Sequence, residues 1–330
     1  SDRTAEFARS NGADAHERSD DPRGSKGAAL RWLFERILDH TSYSGPAGPY
    51  DAVVIFDADT HVEPDFLRLM DARLLGGDKV IQGQHRIRNP RDGWFPALTW
   101  AMFTIDNRLQ NLGRSNLGLS AKNMGDSICL RAELLRRLGW GEGLTEDYAF
   151  RQQLLLQGIK ISYEPAAIGL GEAPLTWAAA RAQRARWLRG AHDASQQYAR
   201  KLLTQAVRRR SLPLLDGALQ AHLPAYSTLT MLAAGILGLQ VGLLAFLRDA
   251  PTSAALLQVV GLWSFLTAAL FVYPLFGLAL ERAPLRAYMV ILSGPVFIIW
   301  RTWLAVVSRR RNKQVHWVRT PRRAQMDLKA

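Results

Sequence analysis

Asp57 and Asp59 stand two residues apart, directly after the apolar run Ala52-Val53-Val54-Ile55-Phe56. On an extended backbone that spacing points both carboxylates the same way. Two carboxylates with open coordination positions suit a hard divalent cation, Mg²⁺ or Mn²⁺, which also takes phosphate oxygens. Such a cation neutralises charge building on a departing diphosphate. Asp-x-Asp pairs are common in surface turns. The strand-like run before this one, and Thr60-His61-Val62-Glu63-Pro64 after it, raise its value.

A second acidic pair, Glu146-Asp147, follows Gly141-Glu142-Gly143-Leu144-Thr145. Thr145 can cap the helix that begins there, and its N-terminal amides favour ionised carboxylates. Asp147 is the candidate general base, accepting a proton from a sugar hydroxyl. Glu146 can accept a hydrogen bond from substrate or hold Arg184 or Arg186. Simple dipole stabilisation of both carboxylates is the blander reading.

A third group, Gln183, Arg186 and Trp187, falls at i, i+3 and i+4 on one helix face. The planar guanidinium of Arg186 matches phosphate oxygens. Trp187 offers a flat surface to a sugar or acceptor ring, and Gln183 an amide to its hydroxyls. A basic helix resting on anionic lipid would explain Arg181, Arg184 and Arg189, but not the tryptophan and glutamine together. Lys26 closes a basic loop before a helix and can bind phosphate there. The loop lacks a full phosphate-loop pattern, which disfavours a nucleoside triphosphatase. Lys122 is a weaker phosphate or acceptor candidate. His61 reads as a polar loop residue, and His85 and Trp140 as structural. Cys129, the only cysteine, excludes an intrachain disulfide framework and reads as buried.

These residues need elements to position them. The pattern predicts helices over 3–10, 28–39, 65–75, 94–112, 146–157 and 177–203. Strands are expected over 52–56, 79–84, 126–130 and 159–163, with a flexible loop over 113–125. The continuous apolar strand 52–56 reads as part of a parallel sheet covered on both faces. The broad apolar side of 94–112 reads as core, with an in-plane membrane element as the alternative. Alternating strands and helices give one α/β domain across 1–205. The chain opens on a helix, so the first strand is expected upstream of Ser1.

Residues 206–225 read as a basic interfacial linker, and 226–307 as membrane segments. Tyr226 to Leu247 carries no charge over a length that crosses a bilayer, and a second stretch follows at about 255–280. A third, 287–307, contains Pro295 and Arg301. Arg208-Arg209-Arg210 places the catalytic part in the cytoplasm. Three full crossings would put Arg309-Arg310-Arg311 outside, so the third segment reads as re-entrant or interfacial, with ordinary spanning left open. Residues 308–330 form a basic tail, expected in the cytoplasm. The formal charge of +13 comes from 42 Lys plus Arg against 29 Asp plus Glu. Its clusters adjoin apolar spans, which points to lipid headgroups and away from nucleic acid.

Taken together, Asp57-Ala58-Asp59, Thr145-Glu146-Asp147 and Gln183-Arg184-Ala185-Arg186-Trp187 resemble the motifs of membrane-integrated family 2 glycosyltransferases, the group of cellulose and hyaluronan synthases. Lys26-Gly27 resembles their Lys-x-Gly segment near the nucleotide, and Trp317-Val318-Arg319-Thr320 a Trp-x-x-Thr that follows the membrane part. The resemblance implies a GT-A fold and inversion at the anomeric carbon. It also implies a UDP- or GDP-sugar donor, Mg²⁺ or Mn²⁺ at Asp59 and Asp57, Asp147 as base, and Gln183, Arg186 and Trp187 at the diphosphate. The loop Lys122-Asn123-Met124-Gly125-Asp126-Ser127 departs from the cellulose synthases. The expected acceptor is a growing polysaccharide or a lipid-linked acceptor, with single-sugar transfer to a lipid as the alternative and an inert membrane scaffold as another. The expected setting is a bacterial inner membrane, and a second copy or an export partner is a further expectation.

Overall fold

The computed structural model describes residues 3–19, 25–38, 50–141, 145–247 and 253–310. Trp317 to Thr320 and residues 20–24 of the basic loop lie outside them. The elements run α1 (Thr4–Ser10), α2 (Lys26–Ile37), β1 (Ala52–Ile55), β2 (His61–Val62), α3 (Phe66–Leu75), β3 (Val80–Ile87) and α4 (Trp94–Ile105). A π-helical turn, Asp106–Leu112, carries α4 into α5 (Gly113–Asn116). Then come β4 (Ile128–Arg131), α6 (Ala132–Leu138), α7 (Glu146–Leu156), β5 (Ser162–Gly171), α8 (Trp177–Arg209) and α9 (Leu212–His222). The chain ends in α10 (Tyr226–Phe246), α11 (Ser253–Leu280), α12 (Leu285–Leu292) and α13 (Gly294–Arg310).

The five strands form one mixed sheet in the order β1-β4-β3-β5-β2. Strand β3 runs parallel to β5, and the other pairs are antiparallel. Alternate residues of β1 enter different layers. Val53 and Ile55 join Phe34, Leu130 and Phe150 on one face, while Ala52, Val54 and Phe56 join Phe66, Met70 and Ile81 on the other. Full burial of Phe66 and Met70 stabilises the second layer by about 1.5–3 kcal/mol each. Among the described residues the parallel neighbour expected for 52–56 is not found: Val54 lies opposite Cys129 of the antiparallel β4. An apolar run reports that both faces are covered, and says nothing of strand direction.

Strand β5 runs well past the expected 159–163. Its register against β3 jumps between Glu164, opposite Gly83, and Ile168, opposite Gln84. Pro165, which lacks an N–H, sits in that irregularity, where proline is tolerated inside a sheet. The segment lies past the expected end of the strand at Tyr163. It continues the strand to Leu170, which pairs with His61 and so carries the end of the Asp-x-Asp loop.

Helix α4 is core, as its composition implied, but core of a particular kind. Phe95 and Leu98 pack against Ala180 of α8, Val290 of α12 and Phe297 of α13, and Ala101 and Ile105 against Leu278 of α11. It is the layer on which the α/β unit meets the apolar helices. The loop expected to be flexible after residue 113 is pinned. Lys122 N–H donates to Asn111 at 3.0 Å, Met124 N–H donates to Gln82 Oε1 at 2.9 Å, and Arg151 donates to the carbonyls of Ala121 and Ser120. Asp216 of α9 binds Arg114 at 3.1 Å and Arg151 at 3.8 Å, which ties the segment after α8 back to α7.

Tyr226–Phe246 and Ala254–Leu280 are long and apolar enough to cross a membrane. They pack on each other, and their large side chains face outward, Phe246 at 84% exposure. Helix α12 and the described part of α13 make an angle of 50° at Ser293, one residue before Gly294-Pro295. Proline lacks the donor that would continue the ladder.

Candidate active site

The cluster is assembled from the starts of two helices, two loops and one long helix. Ser25 opens α2, its Oγ accepting from Ala28 N–H at 3.2 Å. That places Lys26 in the first turn, from which its Nζ pairs with Asp57 and donates to the Gly125 carbonyl at 2.8 Å. Burial pulls the Lys26 ammonium down, but Asp57, with Glu146 and Asp147 nearby, outweighs it, and the net direction is up. One lysine thus joins the Asp-x-Asp loop, the 118–125 loop and the acidic pair.

Glu146 and Asp147 open α7. The side-chain cap expected of Thr145 is not formed; its buried Oγ1 has no hydrogen-bond partner among the described residues. The cause is the approach of α8. A Cβ on Gly190 would lie 2.5 Å from Thr145 Oγ1 and 2.9 Å from its backbone nitrogen, so the missing side chain lets α8 close on the acidic turn. Asp147 accepts from Tyr148 N–H at 2.8 Å. Burial pushes the Asp147 carboxyl above the ordinary range, opposed by the Tyr148 N–H, Lys26 and Arg186. Burial and then the Asp147 charge raise Glu146, again opposed by Lys26 and Arg186. The helix amides were expected to favour ionisation; they do, but desolvation wins. Gly125 lies against this turn with φ +71°, and a Cβ there would sit 2.9 Å from Asp147 Oδ2. Only glycine takes that conformation and that contact freely.

Arg186 acts electrostatically on both carboxylates from α8, and Trp187 is half-buried beside it. Gln183 lies one turn earlier on the same helix, half-buried. Arg184 takes the opposite side and meets neither acidic residue. Lys26, Asp57, Glu146, Asp147 and Arg186 therefore share one site. Asp59 is half-buried on the same loop as Asp57. Lys122 is committed to Asp106 at 3.0 Å, and Cys129 is buried, its thiol pushed up to about 12 by desolvation.

One organising residue escaped the sequence reading. Asp126 accepts from Asp57 N–H at 2.8 Å and Thr60 Oγ at 3.0 Å through Oδ1, and from Ser127 Oγ at 3.1 Å and His85 through Oδ2. Burial pushes its carboxyl up, and the His85 interaction with the other bonds reverses this, leaving it below the ordinary range. Asp126 fixes the Asp-x-Asp loop, and His85 fixes Asp126. Gly-Asp-Ser in a polar loop carries no sequence mark that separates it from an ordinary turn.

Among the described residues no group of three or more His, Cys, Asp or Glu gathers for a metal. Asp57, whose carboxylate pairs with Lys26, and Asp59 offer hard oxygens on one loop. That set fits a cation that completes its shell with water and substrate phosphate, and does not fit a closed protein cage.

A family profile described as glycosyl transferase family group 2 matches residues 52–307, across the sheet, the acidic pair, α8 and the apolar helices. This chain belongs to that family. Among solved structures it is similar to the mannosyltransferase PcManGT of Pyrobaculum calidifontis, determined with GDP-Man and Mn²⁺. The identity is 17%, the TM-score 0.51, and the likeness covers 94% of this chain and 73% of that one. No curated protein matches the chain. The glycosyltransferase has the GT-A fold that its motifs implied: a Rossmann-like mixed sheet with flanking helices, followed by two long apolar helices. Its general activity is sugar transfer from a nucleotide-activated donor.

Proposed function

We propose that this glycosyltransferase moves one sugar from a GDP- or UDP-sugar to a lipid acceptor at the membrane surface, with inversion. The observation that carries the reading is the single cluster of Lys26, Asp57, Glu146, Asp147 and Arg186. It has cations for a diphosphate and a half-buried carboxylate for a nucleophile. Lys26 at the start of α2 and Arg186 on α8 bind the diphosphate, adding charge-assisted hydrogen bonds as negative charge builds on it. Gln183 and Trp187 line the donor or acceptor sugar. Asp147 takes the proton of the acceptor hydroxyl as it attacks opposite the leaving group, and Glu146 orients that hydroxyl. Asp59 and Asp57 would hold Mg²⁺ or Mn²⁺, which supplies charge neutralisation at the departing diphosphate. The upward shift of Asp147 makes it a stronger base than a solvated aspartate once ionised.

Single transfer over polymerisation is supported by the likeness to a solved mannosyltransferase. The basic end of α8, Arg208 to Arg210, supports a cytoplasmic catalytic side, as at a bacterial inner membrane. Radiolabelled donor supplied to the full chain in detergent, with products sized before and after lipid extraction, tests the reading. One labelled sugar per extracted lipid is expected; a ladder of long products would overturn it.

A further inference from the structure

Arg184 is the charge on α8 that the donor cluster leaves unused. It lies two positions from Arg186, so a helix turns it to nearly the opposite side. Only 6% of it is exposed. Its guanidinium carbon stands 5.2 Å from the Trp187 ring centre, 5.6 Å from that of Phe297 and 6.0 Å from that of Phe95. Its Nε is sealed from solvent without an acceptor, and among the described residues no carboxylate pairs with it. Arg301 on α13 is close enough to repel it electrostatically, and the Arg301 Nε is likewise sealed and unpartnered. The Oγ1 of the adjacent Thr302 is a third orphaned polar atom. Asp106 attracts both arginines through space, but hydrogen-bonds Lys122 instead.

Aromatic faces do not settle this account. A cation–π contact offsets only part of the cost of burying an unpaired ion. Among the described residues the Nε atoms of both arginines and the Thr302 hydroxyl lack acceptors; such a donor set suits a multi-oxygen anion, and phosphate matches the guanidinium fork best. The place matters too. The pair sits where α8 and α4 meet the bent α12–α13 segment, beside the two apolar helices. Ionisable side chains buried beside apolar membrane segments are functional-site candidates by default.

We propose that Arg184 and Arg301 hold the phosphate of the acceptor lipid at the membrane boundary, on the face of α8 opposite the donor diphosphate. The proposal rests on the single-transfer reading only in naming a lipid as the source. Trp187, in contact with Arg184 and one residue from Arg186, is the partition between the two anion sites.

The test is binding to the full chain in neutral detergent, with short-chain phosphatidic acid as one probe and inorganic phosphate as the other. Phosphatidic acid should bind saturably, and at least about tenfold more weakly to Arg184→Met and to Arg301→Gln. Affinity for GDP and UDP with Mn²⁺ should not change in either variant. Arg184→Lys, which keeps charge without the fork, should fall between. Unchanged lipid affinity in both folded variants, or a higher melting temperature for Arg184→Met with lipid binding intact, would reduce the cage to packing and overturn the site. Equal loss of nucleotide affinity would assign the pair to the donor. Inorganic phosphate binding as tightly as the lipid, and displacing it, would overturn the lipid source. If Arg184→Met does not fold, Arg301→Gln and Arg184→Lys carry the comparison. Loss of sugar transfer to every lipid with phosphatidic acid still bound would sink the functional reading and leave this site standing; the reverse result would do the opposite.

Discussion

Arg184 and Arg186 make a controlled comparison inside one helix. They have the same side chain, two residues apart, on opposite sides of α8. Arg186 faces Glu146 and Asp147 and keeps company with Lys26. Arg184 faces aromatic rings and another arginine, and burial pulls its guanidinium down to about 9, with Arg301 adding to the effect. On one side opposite charges share the burden of desolvation; on the other, like charges compound it. The lesson is that α8 separates a site already balanced by its own carboxylates from one that wants an anion.

The largest effect should come from the balanced side. Asp147→Asn should lower kcat by about 10³-fold, while nucleotide affinity, read by calorimetry, stays put. Retained turnover would remove Asp147 from its role as base. Arg186→Ala should weaken GDP or UDP binding by about 2–3 kcal/mol, since it removes one partner from a charged cluster. Arg184→Met should leave that affinity alone, and if both variants lose it equally the two faces are not distinct. Asp59→Ala should cost about tenfold in nucleotide affinity with Mn²⁺ present and nothing in its absence. Gly190→Ala should destabilise by about 1–3 kcal/mol in denaturant titration and lower kcat as well, because the new methyl displaces Thr145 and the turn behind it.

The smallest effect is in pH. In its proposed role as base Asp147 works ionised, and its carboxyl is raised in the folded chain. The acid limb of kcat/KM should therefore lie above the ordinary aspartate value of about 3.9, and Lys26→Met, which deletes a cation that opposes the shift, should move it further up. The sign for stability is the reverse of the salt-bridged case. Folded Glu146 and Asp147 hold protons that the unfolded chain has released. Their contribution to stability therefore falls as pH rises from the ordinary carboxylate range through the raised values. A melting temperature that climbed across that window in the wild type, and not in Asp147→Asn, would contradict the assignment.

Asp-x-Asp, Thr-Glu-Asp and Gln-x-x-Arg-Trp could be read as candidates because their side chains stand at short, fixed spacings, and short spacing survives in a string of letters. The long charge-free runs were legible for a similar reason, since a bilayer demands length and apolarity together. Less visible was anything that depends on two distant segments meeting. Asp126 and His85 are 41 residues apart and only become a device for holding Asp57 once β3 and β4 pair. The strand expected over 159–163 stops short of Glu164-Pro165-Ala166, and only the pairing with β3 makes that segment a bulge inside a longer strand.

Residue type and local period determined which groups are available for chemistry, which helices exist and which runs suit a lipid environment. Tertiary structure decided the direction of β1's partner, the absence of the Thr145 cap, and the opposite settings of two arginines on one helix. The physical reason is common to all three. Desolvation and close approach depend on what lies across the gap, and a chain's own letters describe only its side of it.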